Sequence, residues 1–370
     1  MRCGKSKLLA LSFLLLAKSA LGQTRVGLDF EAGMEVDSNA TRVPDVDLPV
    51  TSPVWRMTAG LQLATRPAPG QQFSLGQTVG GKLFLATGAE GENVVVDDTH
   101  LAWSVAAAPG VTAQLGLDYY DALQQATLQD PRRDFRQGSL GPRLYLTPEP
   151  DVQLMASAGY RAFQYKLDSL EDFWGPYFGA QLRKRWLTGP EEDEREWELA
   201  FAYELNARSF NGDAFDNLSM TRAGDRTDLY HFAELRGTWT GPVLLGLAYG
   251  IQFNDSNSYG FSWLRHVVTA RFAAHLPGGF SFAARGVLQI LQLSDSVLLD
   301  PLINHMDTFD AENRSSVEAS VDHGLSDHLR LVLRYAYYTS VLGTLPGVDP
   351  ARVDFSRHLA FVGLAYRFDH

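Results

Sequence analysis

The amino-acid sequence predicts an all-β fold, a single transmembrane antiparallel β-barrel of about sixteen strands. Three observations lead to this prediction. Long segments alternate apolar with polar residues, short turns alternate with long polar connections, and beyond residue 22 no apolar run is long enough for a spanning helix. Because lipid offers no partner to an unpaired backbone N–H or C=O, strands cross a membrane only as a closed barrel.

Residues 1–22 are typical of a secretory signal peptide. Three basic residues precede the apolar run Leu8–Leu16, and Ala20–Gly22 offers small residues for cleavage. The only cysteine, Cys3, lies inside this segment, so an exported mature chain would contain no disulfide. We therefore divide the chain into a signal peptide and a barrel over residues 23–370.

The alternating segments are the main indication of strands. In 329–339, Leu331 and Leu333 alternate with Arg330 and Arg334, which gives one apolar face and one charged face. Most segments run to about ten residues or more, whereas strands of soluble proteins usually have about 5–6. The sixteen segments are 25–36, 54–65, 71–86, 96–107, 111–121, 138–147, 151–164, 176–187, 195–208, 227–239, 242–253, 263–276, 280–293, 314–325, 329–339 and 357–368.

The connections between segments alternate in length, with Pro and Gly in most of the short ones. The short turns are Arg66–Gly70, Ala108–Gly110, Pro148–Pro150, Thr188–Glu194, Gly241–Pro242, Pro277–Gly279 and Ser326–His328. The long connections are 37–53, 122–137, 209–226, 294–313 and 340–356. In outer-membrane barrels the short turns are periplasmic and the long loops extracellular, and an even strand count places both termini in the periplasm. Barrels of fourteen or eighteen strands are alternatives.

Two other classes of protein fit the sequence less well. A soluble β-sandwich or propeller also alternates its residues, but its strands are shorter and its outer faces are not apolar on nearly every strand. A nucleic-acid-binding protein would carry a basic patch, whereas this chain has 32 Lys plus Arg against 43 Asp plus Glu and a net charge of −11.

If the apolar residues face lipid, the residues between them line the interior. The predicted cationic lining residues are Arg56, Lys82, Arg143, Arg161, Arg183, Arg185, Arg236, Arg271, Arg285, Arg330, Arg334 and Arg367. The predicted acidic ones are Asp29, Glu31, Glu35, Asp118, Glu198, Glu204, Glu234, Glu318 and Asp322. Opposite charges facing each other would set up a transverse field that orients hydrated solutes. A salt-bridge network that plugs the lumen is the alternative.

Inward glycines leave room for an open or partly open pore, as a sixteen-stranded barrel allows. These glycines are Gly27, Gly33, Gly60, Gly76, Gly80, Gly116, Gly246 and Gly250. The loop 294–313 contains an apolar run, Val297–Leu299 followed by Leu302 and Ile303, that favours burial. It is expected to gate the barrel mouth, to pack against a partner, or to touch the membrane interface.

Aromatic residues concentrate near the ends of the predicted strands, where amphipathic rings favour the headgroup zone of a bilayer. We predict that they form girdles around the barrel. They are Trp55, Trp103, Trp186, Trp197, Trp239, Trp263, Tyr119, Tyr120, Tyr177, Tyr337 and Tyr338.

The sequence contains no motif of an enzyme, cofactor site or metal site. None of the histidines falls in GxSxG, HExxH or a spaced metal motif. We therefore predict that the protein is not an enzyme and that it holds no cofactor and no metal.

The last predicted strand resembles the C-terminal β-signal of bacterial outer-membrane proteins. Gly363, Tyr366 and Phe368 match its GxxYxF core, although Phe361 stands where the family has a polar residue and Asp369 and His370 follow the final aromatic. The resemblance implies an outer-membrane barrel whose partners are membrane lipid and the barrel-assembly machinery.

A second resemblance covers six residues, Asp37–Arg42. This segment is similar to one in β-barrel porins of exopolysaccharide export clusters. It implies a pore through which a surface polysaccharide leaves the cell with periplasmic partners. The alternatives are an outer-membrane structural component of an adhesion, gliding-motility or secretion machine, and a general diffusion porin.

Overall fold

The computed structural model describes most of the predicted barrel. The described residues are 24–41, 48–124, 134–166, 169–189, 195–216, 219, 221–294, 315–339 and 356–369. The predicted signal peptide (1–22) and the apolar run of the loop 294–313 lie outside the described residues, so both stay predictions.

Sixteen antiparallel strands close into one barrel, in which β1 pairs with both β2 and β16. The predicted count is therefore confirmed. The strands are β1 (Thr24–Asp37), β2 (Ser52–Thr65), β3 (Gln71–Phe84), β4 (Val94–Ala108), β5 (Val111–Gln124), β6 (Phe135–Glu149), β7 (Val152–Tyr165), β8 (Phe173–Thr188), β9 (Arg195–Phe215), β10 (Arg222–Thr240), β11 (Val243–Ser256), β12 (Trp263–Leu276), β13 (Phe280–Leu293), β14 (Ser315–Gly324), β15 (Leu329–Thr339) and β16 (Ser356–Asp369).

The two ends of the barrel differ in their connections. At one end, called the short-turn end, connections such as 109–110 and 241–242 join consecutive strands closely. At the other, the long-loop end, connections such as 38–51 and 294–314 separate them. A 3₁₀ turn, Glu90–Glu92, lies at the long-loop end. Among the described residues, no helix is both long and apolar enough to span a membrane.

The hairpin of β9 and β10 corrects one predicted loop. Residues 209–226 were expected to be a long connection, but β9 continues to Phe215 and β10 begins at Arg222. The pairing there contains two register shifts, and Arg222 forms an ion pair with Asp213 at 2.8 Å. The prediction was wrong because it relied on apolar alternation, which stops where the strands no longer need an apolar outer face. The backbones of β9 and β10 stay paired beyond that point.

Ion pairs that reach past an intervening strand identify the concave face of the barrel. Arg334 on β15 contacts Glu31 on β1 at 3.0 Å across β16. The opposite face carries the large apolar side chains: on β11, Leu247 is 62% exposed, whereas its neighbour Ala248 is 8% exposed. The outer surface is therefore apolar and the inner surface charged, as the alternation predicts.

A band of polar side chains crosses the outward face of β4–β7 towards the long-loop end. Asp97, Asp121, Arg136 and Gln164 occupy consecutive register positions from β4 to β7. The Arg136 Nε donates to Gln164 at 2.8 Å, and the Lys166 Nζ lies 2.5 Å from the Asp121 carboxylate. This band interrupts the apolar surface, because Val95 and Leu123, 50% and 55% exposed, lie beyond it on β4 and β5.

Most of the predicted girdle residues face outward, but four do not. Trp55, Trp103, Trp186 and Trp197 are 39–51% exposed on the outer face. Successive side chains of a strand point to opposite faces, so Tyr119–Tyr120 and Tyr337–Tyr338 cannot both face outward. The predicted girdle residues that belong to the concave face are Tyr120, Tyr177, Tyr338 and Trp263.

Candidate functional site: the interior of the barrel

The charged residues predicted to line the interior all have the parity of the concave face. Alternation along each strand puts them there, because their neighbours in sequence are the exposed apolar residues of the outer face. Their role as the lining of a conducting pore stays a prediction.

The acidic residues of β1 are neutralised by cations of nearby strands. Glu35 is 1% exposed and accepts from Arg56 at 3.2 Å and from Lys82 at 2.5 Å. The Glu31 carboxylate accepts two hydrogen bonds from Arg334, at 3.1 and 3.0 Å. These pairs run along the wall, so the expected field across the lumen is reduced on this side.

Further ion pairs join predicted lining residues around the barrel. Arg161 on β7 reaches Glu204 on β9 with two hydrogen bonds, at 2.6 and 3.1 Å. Arg143 contacts Asp118 at 2.7 Å. The looser contacts, between 3.6 and 3.9 Å, are Arg183–Glu198, Arg185–Glu198, Arg236–Glu234, Arg330–Asp322 and Arg367–Asp29.

Two predicted lining cations stand apart from these pairs. Arg271 and Arg285 are register partners on β12 and β13, so two like charges lie side by side on the concave face. Neither forms an ion pair with a described residue. Glu318 is the next register partner of Arg285, but its carboxylate accepts from the Tyr338 hydroxyl at 3.2 Å instead. This part of the wall therefore carries two cations and one carboxylate, with no direct ion pair between the cations and a described residue.

Phe361, which stands where the β-signal has a polar residue, has a packing role inside the barrel. Its ring lies inside the barrel over Gly33 and Gly363, where an added Cβ would come within 2.8 and 2.4 Å of the ring's Cζ. The guanidinium groups of Arg56 and Arg334 lie 5.6 and 5.3 Å from the ring centroid. Phe361 therefore fills the space that two facing glycines leave at the β1–β16 seam, beside a cavity of about 410 Å³.

The described part of the segment that resembles exopolysaccharide porins, Asp37–Thr41, lies at the long-loop end of the same seam. Asp37 is 0% exposed, and the Arg357 Nε donates to its two carboxylate oxygens at 2.9 and 3.1 Å, with a further bond from Nη2. The Asn39 amide side chain donates to the Ser356 carbonyl at 3.3 Å. In this chain, these residues tie β1 to β16.

A run of aromatic rings on the concave face escaped the sequence prediction. The rings, which we call the aromatic track, are Tyr120, Phe135, Phe163, Phe173 and Phe210, one from each of β5 to β9. Successive ring centroids are 5.2–5.5 Å apart. Parity alone places each ring inside, but only the strand register shows that the rings adjoin.

The arrangement of histidines does not match a catalytic triad. Asp118 lies between His100 at 2.8 Å and the Ser139 hydroxyl at 3.3 Å, whereas a triad needs the hydroxyl on the histidine. Among the described residues, no group of three or more His, Cys, Asp or Glu is arranged to hold a metal ion. Three outward histidines instead lie 2.7–2.8 Å from tyrosine hydroxyls, in the pairs Tyr203–His231, Tyr249–His266 and Tyr335–His358.

A closed barrel with an even number of strands, an apolar exterior and a charged interior is the architecture of outer-membrane β-barrels. The fold is an outer-membrane β-barrel.

Comparison with known proteins finds no matching family model and no matching curated protein. Solved structures do match. Acinetobacter baumannii OccAB1 is 10% identical, with 95% of this chain and 98% of that chain covered and a TM-score of 0.49. Pseudomonas putida OprB at high pH is 10% identical, with 98% and 97% covered and a TM-score of 0.48. Pseudomonas aeruginosa OccD3 (OpdP) is 10% identical, with 95% and 93% covered and a TM-score of 0.47.

Proposed function

We propose that this protein is a pore of the bacterial outer membrane and that a surface polysaccharide leaves the cell through it. The observation that carries the pore is the concave face itself, which is charged, in a closed barrel of sixteen strands. Barrels of 16–18 strands leave an aqueous channel. Catalysis plays no part in this proposal.

In the proposed orientation the short-turn end faces the periplasm and the long-loop end faces the outside. Both ends of the barrel chain, Thr24 on β1 and Asp369 on β16, then lie on the periplasmic side. Periplasmic export proteins would meet the barrel there. The β-signal residues Gly363, Tyr366 and Phe368 would bring it to the assembly machinery before β16 closes on β1.

Two features support a polysaccharide as the solute. One is the similarity of Asp37–Arg42 to porins of exopolysaccharide clusters, and the other is the aromatic track. Flat apolar rings suit the apolar faces of sugar rings, and charged groups beside them suit hydroxyl and carboxylate groups.

A general diffusion porin is the second candidate. The observation that favours it is that, in the described part of the chain, every strand belongs to the wall and none enters the lumen. Such a porin would pass small solutes with little chemical selectivity.

Export is tested by deleting the gene and measuring surface polysaccharide by quantitative sugar analysis of washed cells. The export proposal predicts a loss of surface polymer that the wild-type gene restores, with polymer retained in the periplasm. Unchanged surface polymer would exclude export. A diffusion porin predicts instead that liposomes containing the protein swell in small neutral sugars at a rate set by solute size alone.

A further inference from the structure

We propose that the aromatic track, together with Arg208, is a binding site for an acidic polysaccharide, with the sugar rings on the track and a uronate carboxylate on Arg208. This inference rests on the proposed function and names the class of polymer.

The geometry of the track suits an extended chain of rings. Its aromatic rings follow one another from strand to strand, at a spacing close to the strand separation of about 4.8 Å. Phe163 and Phe173 are nearly parallel, with centroids 5.4 Å apart and an interplanar angle of 5°. Tyr120, Phe135, Phe163 and Phe173 are partly exposed on the concave face. A polymer on this wall would therefore meet several flat apolar faces in succession.

Arg208 provides an unpaired cation beside these rings. Its guanidinium lies 4.8 Å from the ring centroid of Phe173 and 4.1 Å from that of Tyr230. It forms no hydrogen bond or ion pair with any described residue, and its Nε is buried without a partner. The guanidinium is planar, and its fork of N–H donors matches a carboxylate.

The neighbouring cations are already neutralised. Arg226 binds Asp228 at 2.7 Å and Glu171 at 2.9 Å, while its guanidinium lies 3.9 Å from the Phe210 ring centroid. Arg161 is bound to Glu204, as described above. Each of these acids thus contacts a cation directly, whereas Arg208, the register partner of Asp228, has no direct partner among the described residues and leaves its N–H donors for an arriving carboxylate.

Asn206 adds polar groups next to Arg208. It is 0% exposed, and its amide nitrogen and oxygen have no hydrogen-bond partner among the described residues. It is the register partner of Tyr177 and of Tyr230, so it lies between two aromatic residues on the same face. Unsatisfied buried amides are costly, which is consistent with a ligand or bound water completing their hydrogen bonds.

The test is isothermal titration calorimetry on the full-length protein folded in detergent, with hexagalacturonate and neutral maltohexaose as probes. Arg208→Gln should weaken hexagalacturonate binding about 10- to 100-fold, the effect of a charge-assisted hydrogen bond, and should leave maltohexaose binding unchanged. Arg222→Gln is the matched control, because Arg222 is 65% exposed, lies off the track and already has a partner in Asp213.

The rings are tested through Phe163, which has a stacked neighbour on each side. Phe163→Ala should weaken both probes about 2- to 10-fold, the size of one aromatic contact. Phe163→Leu keeps apolar bulk without the flat face and should weaken them similarly. Phe178→Ala, on the outer face, is the control and should change neither. Heat-modifiable mobility verifies that each variant is folded.

The outcomes separate this inference from the pore proposal, because calorimetry does not require conduction. If the folded wild-type protein binds neither probe, or if Arg208→Gln and both Phe163 variants bind as the wild type does, the inference is overturned, whatever the conductance. Equal weakening of both probes by Arg208→Gln would overturn the assignment of an acidic polymer. Binding that follows these predictions in a barrel that carries no current would support the site and contradict the pore.

Discussion

Phe368→Asp is expected to remove the barrel from the outer membrane while leaving export across the inner membrane intact. Phe368 ends the GxxYxF match, and its side chain lies on the outer face, 38% exposed. A carboxylate on the lipid face near an interface lowers the stability of a barrel by at most about 1 kcal/mol. A large loss would therefore come from failed recognition by the assembly machinery. The measurement is the amount of heat-modifiable protein in the outer-membrane fraction.

Leu28→Asp is the matched control for Phe368→Asp. Leu28 is the register partner of Phe368 across the β1–β16 seam and is also exposed, so this variant places the same charge at the same level. It leaves the β-signal unaltered and should assemble at close to normal levels. Normal levels of heat-modifiable Phe368→Asp would contradict the assignment of the signal.

Arg357→Met is expected to lower the free energy of unfolding by about 3–5 kcal/mol, because it leaves the Asp37 carboxylate buried without a cation. Asp37 is 0% exposed, and Arg357 donates to both of its oxygens. The pair joins the first and last strands, so its loss weakens barrel closure directly. Urea unfolding of the protein in lipid vesicles, followed by tryptophan fluorescence, measures the change.

Two further variants identify the cause of that loss. Arg330→Met removes a cation whose contact with Asp322 is 3.9 Å and whose side chain is 45% exposed, so it should cost about 0–1 kcal/mol. The double variant Asp37→Asn with Arg357→Met should recover most of the lost stability, because no buried charge remains. A double variant as unstable as Arg357→Met alone would show that packing, rather than the buried charge, sets the effect.

Alternation along the chain was sufficient to predict the strands and their faces. The spans 263–276 and 280–293 coincide with β12 and β13, and the predicted lining charges all have the parity of the concave face. This works because the side-chain period of a strand is two and the membrane requires one apolar face. The part of the β9–β10 hairpin at the long-loop end was missed, because its residues need no apolar outer face and therefore do not alternate.

Contacts between strands were not predictable from one sequence. Asp37 and Arg357 are 320 residues apart, and only closure of the barrel makes them neighbours. The aromatic track depends on the register of β5 to β9, because a change in the register of any one of these strands against its neighbour would separate the rings. Likewise, Phe361 looked like a departure from a motif until the two facing glycines beneath its ring were located.

Planar-bilayer recordings of the protein, made after heat-modifiable mobility has verified its folding, measure whether the barrel is a water-filled pore. An open barrel gives discrete, ohmic current steps in potassium chloride. The double variant Arg271→Gln with Arg285→Gln should then shift the reversal potential in a salt gradient towards greater cation preference, because these two cations have no ion pair with a described residue. Bilayers that stay silent with folded protein inserted would show that the barrel is not a water-filled pore.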